Sequence, residues 1–241
     1  MILYPAIDLK DNICVRLKQG KMDAITIFNT DPADQTKKFI MAGCEWIHVV
    51  DLNGAFTGHP VNADSIAMII ATSTVPVQLG GGIRDMKTIA MWIEKGVSRV
   101  VLGTVSLHNS SLVKEACAQF PGQVAISIDA RDGYVAVEGW SKNSEITALD
   151  LALKFEDAGV ATIIYTDINH DGLLCGLNIL ATVALAERLT TPIIAAGGVA
   201  SLDDLYAIKE YATSGIDGVI SGRAIYDGRI DLIKALMILK D

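Results

Sequence analysis

Short apolar runs alternating with amphipathic segments, and a set of motifs that occurs twice, predict an α/β fold: a (β/α)8 TIM barrel built from two repeated half-barrels. The repeat is the stronger observation. Ile7-Asp8-Leu9 returns as Ile128-Asp129-Ala130. Asp51, Gly54 and Asn62 return as Asp167, Gly172 and Asn178. Gly81-Gly82 returns as Gly197-Gly198, and Val101-Leu102-Gly103 as Ile220-Ser221-Gly222. The offset stays between 116 and 121 residues. What recurs is an Asp and two glycine turns, each at the end of an apolar run.

In chain order, strands are expected at residues 3–8, 46–51, 75–79, 99–102, 124–129, 162–167, 192–195 and 218–221. They are near-continuous in Val, Ile, Leu and Ala. That composition marks parallel strands buried on both faces. Helices are expected between them, as at 32–42, 86–95, 147–158 and 202–211. Asp31 precedes Pro32, a cap followed by proline at the first helical position. Gly43, Gly96, Gly159 and Gly215 sit where helices should end. Strict alternation fits a barrel or an open doubly wound sheet, and the repeat decides. Four strand–helix units per half close into eight, in roughly 250 residues. No linker-like stretch lies near residue 121, so one domain is expected over 1–241, with halves of about 1–121 and 122–241. The segment 18–30 is long and lacks periodicity, as a lid or a static hairpin would.

Composition narrows the function. The net charge is −8, which disfavours nucleic acid as a partner because phosphate neutralisation needs a basic face. Cys14, Cys44, Cys117 and Cys175 are widely spaced without a CxxC, and His48, His59, His108 and His170 do not cluster with them. A metal site or disulfide frame is not expected, and a reducing, cytoplasmic setting fits. No signal segment or membrane span is read. The longest uncharged stretch, 65–83, is broken by Pro76 and three glycines. A monomer is the expectation.

In such barrels the chemistry sits at the C-terminal ends of the strands. Asp8 ends the first and Asp129 the fifth, so both carboxylates should face one mouth from opposite sides. Such a pair can divide general acid and general base between them if their surroundings separate their pKa values. A single Asp there would be read as a cap; two at matched positions of a repeat point to catalysis. Gly81 and Gly82 follow strand three, and Gly103 and Thr104 follow strand four. Gly197 and Gly198 follow strand seven, and Gly222 and Arg223 follow strand eight. Glycine lets backbone approach an anion, and the next helix start offers N–H groups. Two such sets imply two phosphate sites and an elongated, small-molecule bisphosphate between them. Arg16 and Arg84 are candidates for neutralising its charge. Trp140 either stacks on a planar ring or covers the rim. Thr166 and Asp167, with Asp171-Gly172, either orient substrate or hold loops, and His48 and His170 read as structural. No nucleotide-binding glycine motif or metal-ligand spacing is present, and no cofactor is expected.

Pro5-Ala6-Ile7-Asp8-Leu9, His48-Val49-Val50-Asp51-Leu52, Gly80-Gly81-Gly82-Ile83-Arg84, Gly139-Trp140 and Tyr165-Thr166-Asp167-Ile168 resemble the histidine-biosynthesis isomerases that act on phosphoribosylformimino-aminoimidazole carboxamide ribotide. The resemblance runs end to end. The glycine motifs are shared with the sister cyclase of the pathway, whereas Ala6-Ile7-Asp8-Leu9 and Gly139-Trp140 favour the isomerase. The resemblance implies an Amadori rearrangement of an aminoaldose to an aminoketose, with Asp129 as general acid and Asp8 as general base. The alternatives are the cyclase, an isomerase that also takes phosphoribosyl anthranilate, and a non-catalytic sugar-phosphate binder. Asn12 stands where the resemblance leads one to expect glycine, Asn53 aspartate, Leu173 threonine and Leu177 proline.

Overall fold

A computed structural model describes residues 1–18, 21–137, 140 and 142–240, giving backbone alone at 18 and 21–23. Its strands are β1 (Ile2–Lys10), β2 (Ile13–Lys18), β3 (Lys21–Asn29), β4 (Ile47–Asp51), β5 (Val77–Gly80), β6 (Arg99–Leu102), β7 (Val124–Arg131), β8 (Tyr134–Val137), β9 (Lys142–Thr147), β10 (Thr162–Asp167), β11 (Ile193–Ala196) and β12 (Ile216–Ser221). Eight of them, β1, β4–β7 and β10–β12, are parallel to their neighbours. β12 pairs with β1 and β7 with β10, so the sheet closes into the expected barrel.

Alternate strand residues divide between two cores. Tyr4, Val101, Ala125, Ile164 and Ile194, from five different barrel strands, meet one another inside. Their neighbours in sequence, such as Leu3, Val100, Val124, Ile163 and Ile193, pack outward against the helices, with Phe39, Trp92 and Phe155. Both faces are therefore apolar, which explains the unbroken runs. Helix starts follow their caps. Asp31 accepts from the Ala33 and Asp34 N–H groups before the helix Pro32–Met41, and Asp85 from Thr88 N–H before Met86–Glu94. Gly43 and Gly96 follow these helices with φ of 94° and 101°.

Several boundaries differ from expectation for local reasons. β5 and β11 begin after Pro76 and Pro192, which lack the N–H a ladder needs. The helix expected over 147–158 stops at Leu153. Beyond it Phe155 and Ala158 N–H bond carbonyls three residues back, a tightened last turn.

Two antiparallel hairpins are added to the barrel, the first where 18–30 was read as a lid or a static hairpin and the second unanticipated. β1 continues through β2 into β3, and β7 through β8 into β9. The segment 18–30 is thus mostly hairpin strand, with residues 19 and 20 outside the described part. Both first turns are two residues long with positive φ throughout. Asp11 and Asn12 have φ of 51° and 65°, and Asp132 and Gly133 have 53° and 82°. This is the type I′ turn that matches strand twist. Asn12 therefore fills a glycine-like position at modest cost. It also holds the turn in place: its N–H donates to Asn62 Oδ1 at 2.7 Å, and its Oδ1 accepts from Ser65 Oγ at 3.0 Å. Asn53 joins the same cluster, exchanging two 2.9 Å hydrogen bonds with Asp11, one with the backbone N–H and one with the carboxylate. Asn169 repeats this contact in the second half, donating to Asp132 at 2.9 Å.

Asn12→Ala is expected to lower unfolding free energy by about 1–3 kcal/mol, through left-handed strain and lost hydrogen bonds. Asn12→Gly should cost less, about 1 kcal/mol or under, because only the bonds are lost. Urea unfolding of the two variants measures the difference.

Candidate active site

All eight barrel strands contribute to one cavity of about 740 Å³. Asp8 and Asp129 both line it, Asp8 from β1 and Asp129 from β7. Arg16, reaching over from β2, makes an ion pair with Asp8; the two side chains are 17% and 12% exposed. The Arg16 guanidinium also lies 5.9 Å from the Tyr226 ring centroid. It fills the space beside Gly222 so completely that any side chain there would overlap it. Burial works against the charge on Arg16, and Asp8, Tyr226 and Asp171 together outweigh it, leaving the guanidinium above its ordinary value.

Asp129 lies in different surroundings. Burial pushes its carboxyl up, against hydrogen bonds from Trp140 and Thr166 that favour the anion. The Trp140 Nε1–H donates to Asp129 Oδ2 at 2.8 Å from a left-handed residue with φ of 72°. Its neighbour Gly139 lies outside the described residues. Asp171, on the loop after β10, is a third carboxylate in the cavity. Burial pushes it to about 6; Arg16 pulls it down, while Asp8 and Asp129 add to the rise. Sequence reasoning left Asp171 either to orient substrate or to hold its loop. Its signal was weak because it lies in a turn, four residues past a strand end.

The glycine turns also surround the cavity. Gly81, Gly82, Gly197 and Gly198 all line it with positive φ between 71° and 100°. Their lack of a side chain has a packing cause as well. A Cβ at Gly81 would overlap the backbone of Asp51, and one at Gly197 would come within 2.6 Å of the Asp167 carbonyl oxygen. Gly103 and Gly222 precede the short helices Thr104–His108 and Arg223–Tyr226, and Thr104 and Arg223 line the cavity with them. Arg84 lines it too, donating to the Ala55 carbonyl at 3.1 Å. Arg223 donates to the Gly172 carbonyl at 2.6 Å.

Thr166 is part of the lining; Asp167 is not. The Asp167 carboxylate accepts from Asn169 N–H at 2.9 Å and Asn178 Nδ2 at 2.6 Å. Asp51 does likewise with Gly54 N–H at 2.7 Å and Asn62 Nδ2 at 2.6 Å. Both hold loops. His170 serves the same loop, with Nδ1 2.7 Å from the Gly176 carbonyl and 3.5 Å from Cys175 Sγ, the exposed one of four free thiols. His48 is different: it lines the cavity, and burial together with Arg16 lowers its pKa to about 3, leaving it neutral. Leu173 is exposed, and Leu177 packs on the outer core. Among the described residues no group of His, Cys, Asp and Glu could hold a metal ion, and no helix is long and apolar enough to cross a membrane.

Fold and site define a (β/α)8 barrel with carboxylates in the mouth and glycine turns on the rim. The chain belongs to the histidine biosynthesis protein family, whose model matches residues 2–231. Its relatives include proteins named 1-(5-phosphoribosyl)-5-((5-phosphoribosylamino)methylideneamino)imidazole-4-carboxamide isomerase. That of Rhodospirillum rubrum is 64% identical over 241 residues, covering both chains completely. That of Azospirillum brasilense is 63% identical over 239 residues, 99% of this chain and 94% of its own. That of Paramagnetospirillum magneticum is 60% identical, with full coverage of both chains.

Asp171 has a measurable consequence for stability. Its folded pKa lies above its unfolded value, so between about pH 4 and pH 6 the folded state binds more protons. Its contribution therefore falls as pH rises through that window and stays unfavourable above it. Asp171→Asn is expected to raise stability at neutral pH by about 1–3 kcal/mol, with little effect below about pH 4. Urea unfolding at the two pH values checks it.

Proposed function

We propose that the protein is an aldose–ketose isomerase, an intramolecular oxidoreductase that performs the Amadori rearrangement on the ribosyl bisphosphate its relatives are named for. The observation that carries this is one cavity holding Asp8 and Asp129 between two sets of glycine turns. The relatives' names favour the isomerase over the cyclase and over a non-catalytic binder.

The substrate lies across the mouth with one phosphate at each glycine set. Gly81, Gly82, Gly103 and Thr104 receive one; Gly197, Gly198, Gly222 and Arg223 receive the other. Helix starts there leave first-turn N–H groups outside the helical ladder, where an anion accepts from them. Trp140 offers an aromatic face to the imidazole ring.

Asp129, whose hold on a proton burial strengthens, gives its proton to the ribosyl ring oxygen. The bond from that oxygen to the first sugar carbon breaks, and the amine lone pair forms a Schiff base. Asp8 then removes the proton from the second sugar carbon. The electron pair moves into a carbon–carbon double bond and neutralises the nitrogen. The enolamine tautomerises to the aminoketose. No other reagent is consumed.

A second assignment of the acid rests on Asp171. Its carboxyl titrates at about 6, close to working pH, where proton donors are most efficient. It interacts electrostatically with Arg16, Asp8 and Asp129 in the same cavity.

For location, a reducing cytoplasm agrees with the four free cysteines, and the protein is proposed to act as a monomer.

Asp8→Asn is expected to lower kcat by about 10²–10⁴-fold, with ligand affinity unchanged within about threefold. The measurement is turnover of the aminoaldose bisphosphate coupled to a downstream cyclase, with calorimetric binding beside it. Near-normal kcat would remove the base assignment. Of Asp129→Asn and Asp171→Asn, the variant that abolishes the high-pH limb of the kcat profile identifies the acid.

A further inference from the structure

One row of the barrel interior is polar in the first half and apolar in the second. His48 on β4 is directly opposite Gln78 on β5, and Gln78 is opposite Arg99 on β6. At the matching offsets the second half carries Ile164, Ile194 and Gly218, in the same register across β10, β11 and β12. Gln78 is 0% exposed, so its amide has no water to bond and needs partners within the protein. The second half shows that the barrel closes with two isoleucines and a glycine at these positions. The polar row is thus not needed for closure.

The three side chains form a directed chain. Arg99 Nη1 donates to Gln78 Oε1 at 3.2 Å, and Gln78 Nε2 lies 2.9 Å from His48 Nδ1. The direction of each bond follows from the donor inventory. Arginine has no acceptor, so the oxygen of the Gln78 amide must face it. The Gln78 NH2 group, which has no acceptor either, is then turned to His48. His48 Nδ1 must accept, so in the neutral ring the proton sits on Nε2. Arg99 is itself anchored 4.5 Å over the Trp46 ring, which fixes the start of the chain. His48 lies in the cavity lining two residues below Val50, the β4 partner of Asp8.

We propose that Gln78 and Arg99 are positioning residues that lock His48 in the Nε2–H tautomer, making it a fixed neutral donor to a sugar oxygen of the substrate beside Asp8. The tautomer follows from the row alone; only the acceptor rests on the isomerase reading. A neutral donor suits this place, because burial and the charge of Arg16 both disfavour an imidazolium there.

Protein labelled with 15N-histidine tests the tautomer without any reaction. Two-bond proton–nitrogen correlations identify the protonated ring nitrogen. The unliganded protein is expected to show His48 with its proton on Nε2 throughout about pH 6–8. Gln78→Glu turns an acceptor toward Nδ1 and is expected to draw a proton onto that nitrogen. Arg99→Met frees the amide to turn over and is expected to give both tautomers. A proton on Nδ1 of the unsubstituted protein, or an unaltered ring in Gln78→Glu, would overturn the lock. Kinetics then test the donor. His48→Gln retains an N–H near the Nε2 position, whereas His48→Asn retains one near Nδ1. kcat/KM is expected to fall about 10²-fold in His48→Asn and at most about tenfold in His48→Gln. Equal losses in the two variants would remove the donor role while leaving the tautomer result and the isomerase assay standing on their own.

Discussion

The cavity rim is held by two carboxylates that do not face the cavity. Asp51 and Asp167 turn into their own loops and bind Asn62 and Asn178 there. The backbone of each Asp is then met by the glycine of the next loop, Gly81 over Asp51 and Gly197 over Asp167. With no Cβ the turns seat at contact distance; with one they would have to lift. Such buried, charge-assisted hydrogen bonds are among the strong ones, and losing a partner leaves an uncompensated group. The loops that would face phosphate are therefore positioned by contacts beneath the surface.

Duplication built this frame twice, and the chemistry breaks it. The hairpin turns, the Asp–Asn pairs and the glycine turns match between halves. The electrostatics do not. Arg16 reaches Asp8 from the first hairpin, whereas Trp140 reaches Asp129 from the second. One carboxylate is paired with a cation and the other is dry and capped by an indole. Two residues that were equivalent in sequence thereby stand in different surroundings, and burial strengthens the hold of Asp129 on its proton.

Most of the barrel was legible because its strands are buried on both faces, so composition alone marks them. The repeat then set their number. The first hairpin was legible only as one of two readings of 18–30, and the second was not read at all. β3 carries Lys21 and Asp23 among its apolar residues, and the residues of β9, Lys142–Thr147, are polar or exposed, so neither shows a strand's alternation. Asp8, Asp129 and the glycines stood out because they came in pairs. Asp171 and His48 did not: position 48 is matched by Ile164, and a lone polar residue in an apolar run carries no pattern. Asp167 was paired and yet faces its own loop, so repetition marks what a residue shares with its twin, in this case a structural bond. The Arg16–Gly222 contact joins residues more than two hundred positions apart, and nothing local encodes it.

Cys175 sits on the loop that carries Asp171 and Gly172, beside His170, and its thiol is the exposed one of the four. A fluorophore coupled there would ride on the wall of the pocket without an engineered attachment point. The other three sulfurs are enclosed by the core, so labelling would be selective under native conditions. The molecule thus carries its own handle for watching occupancy in real time.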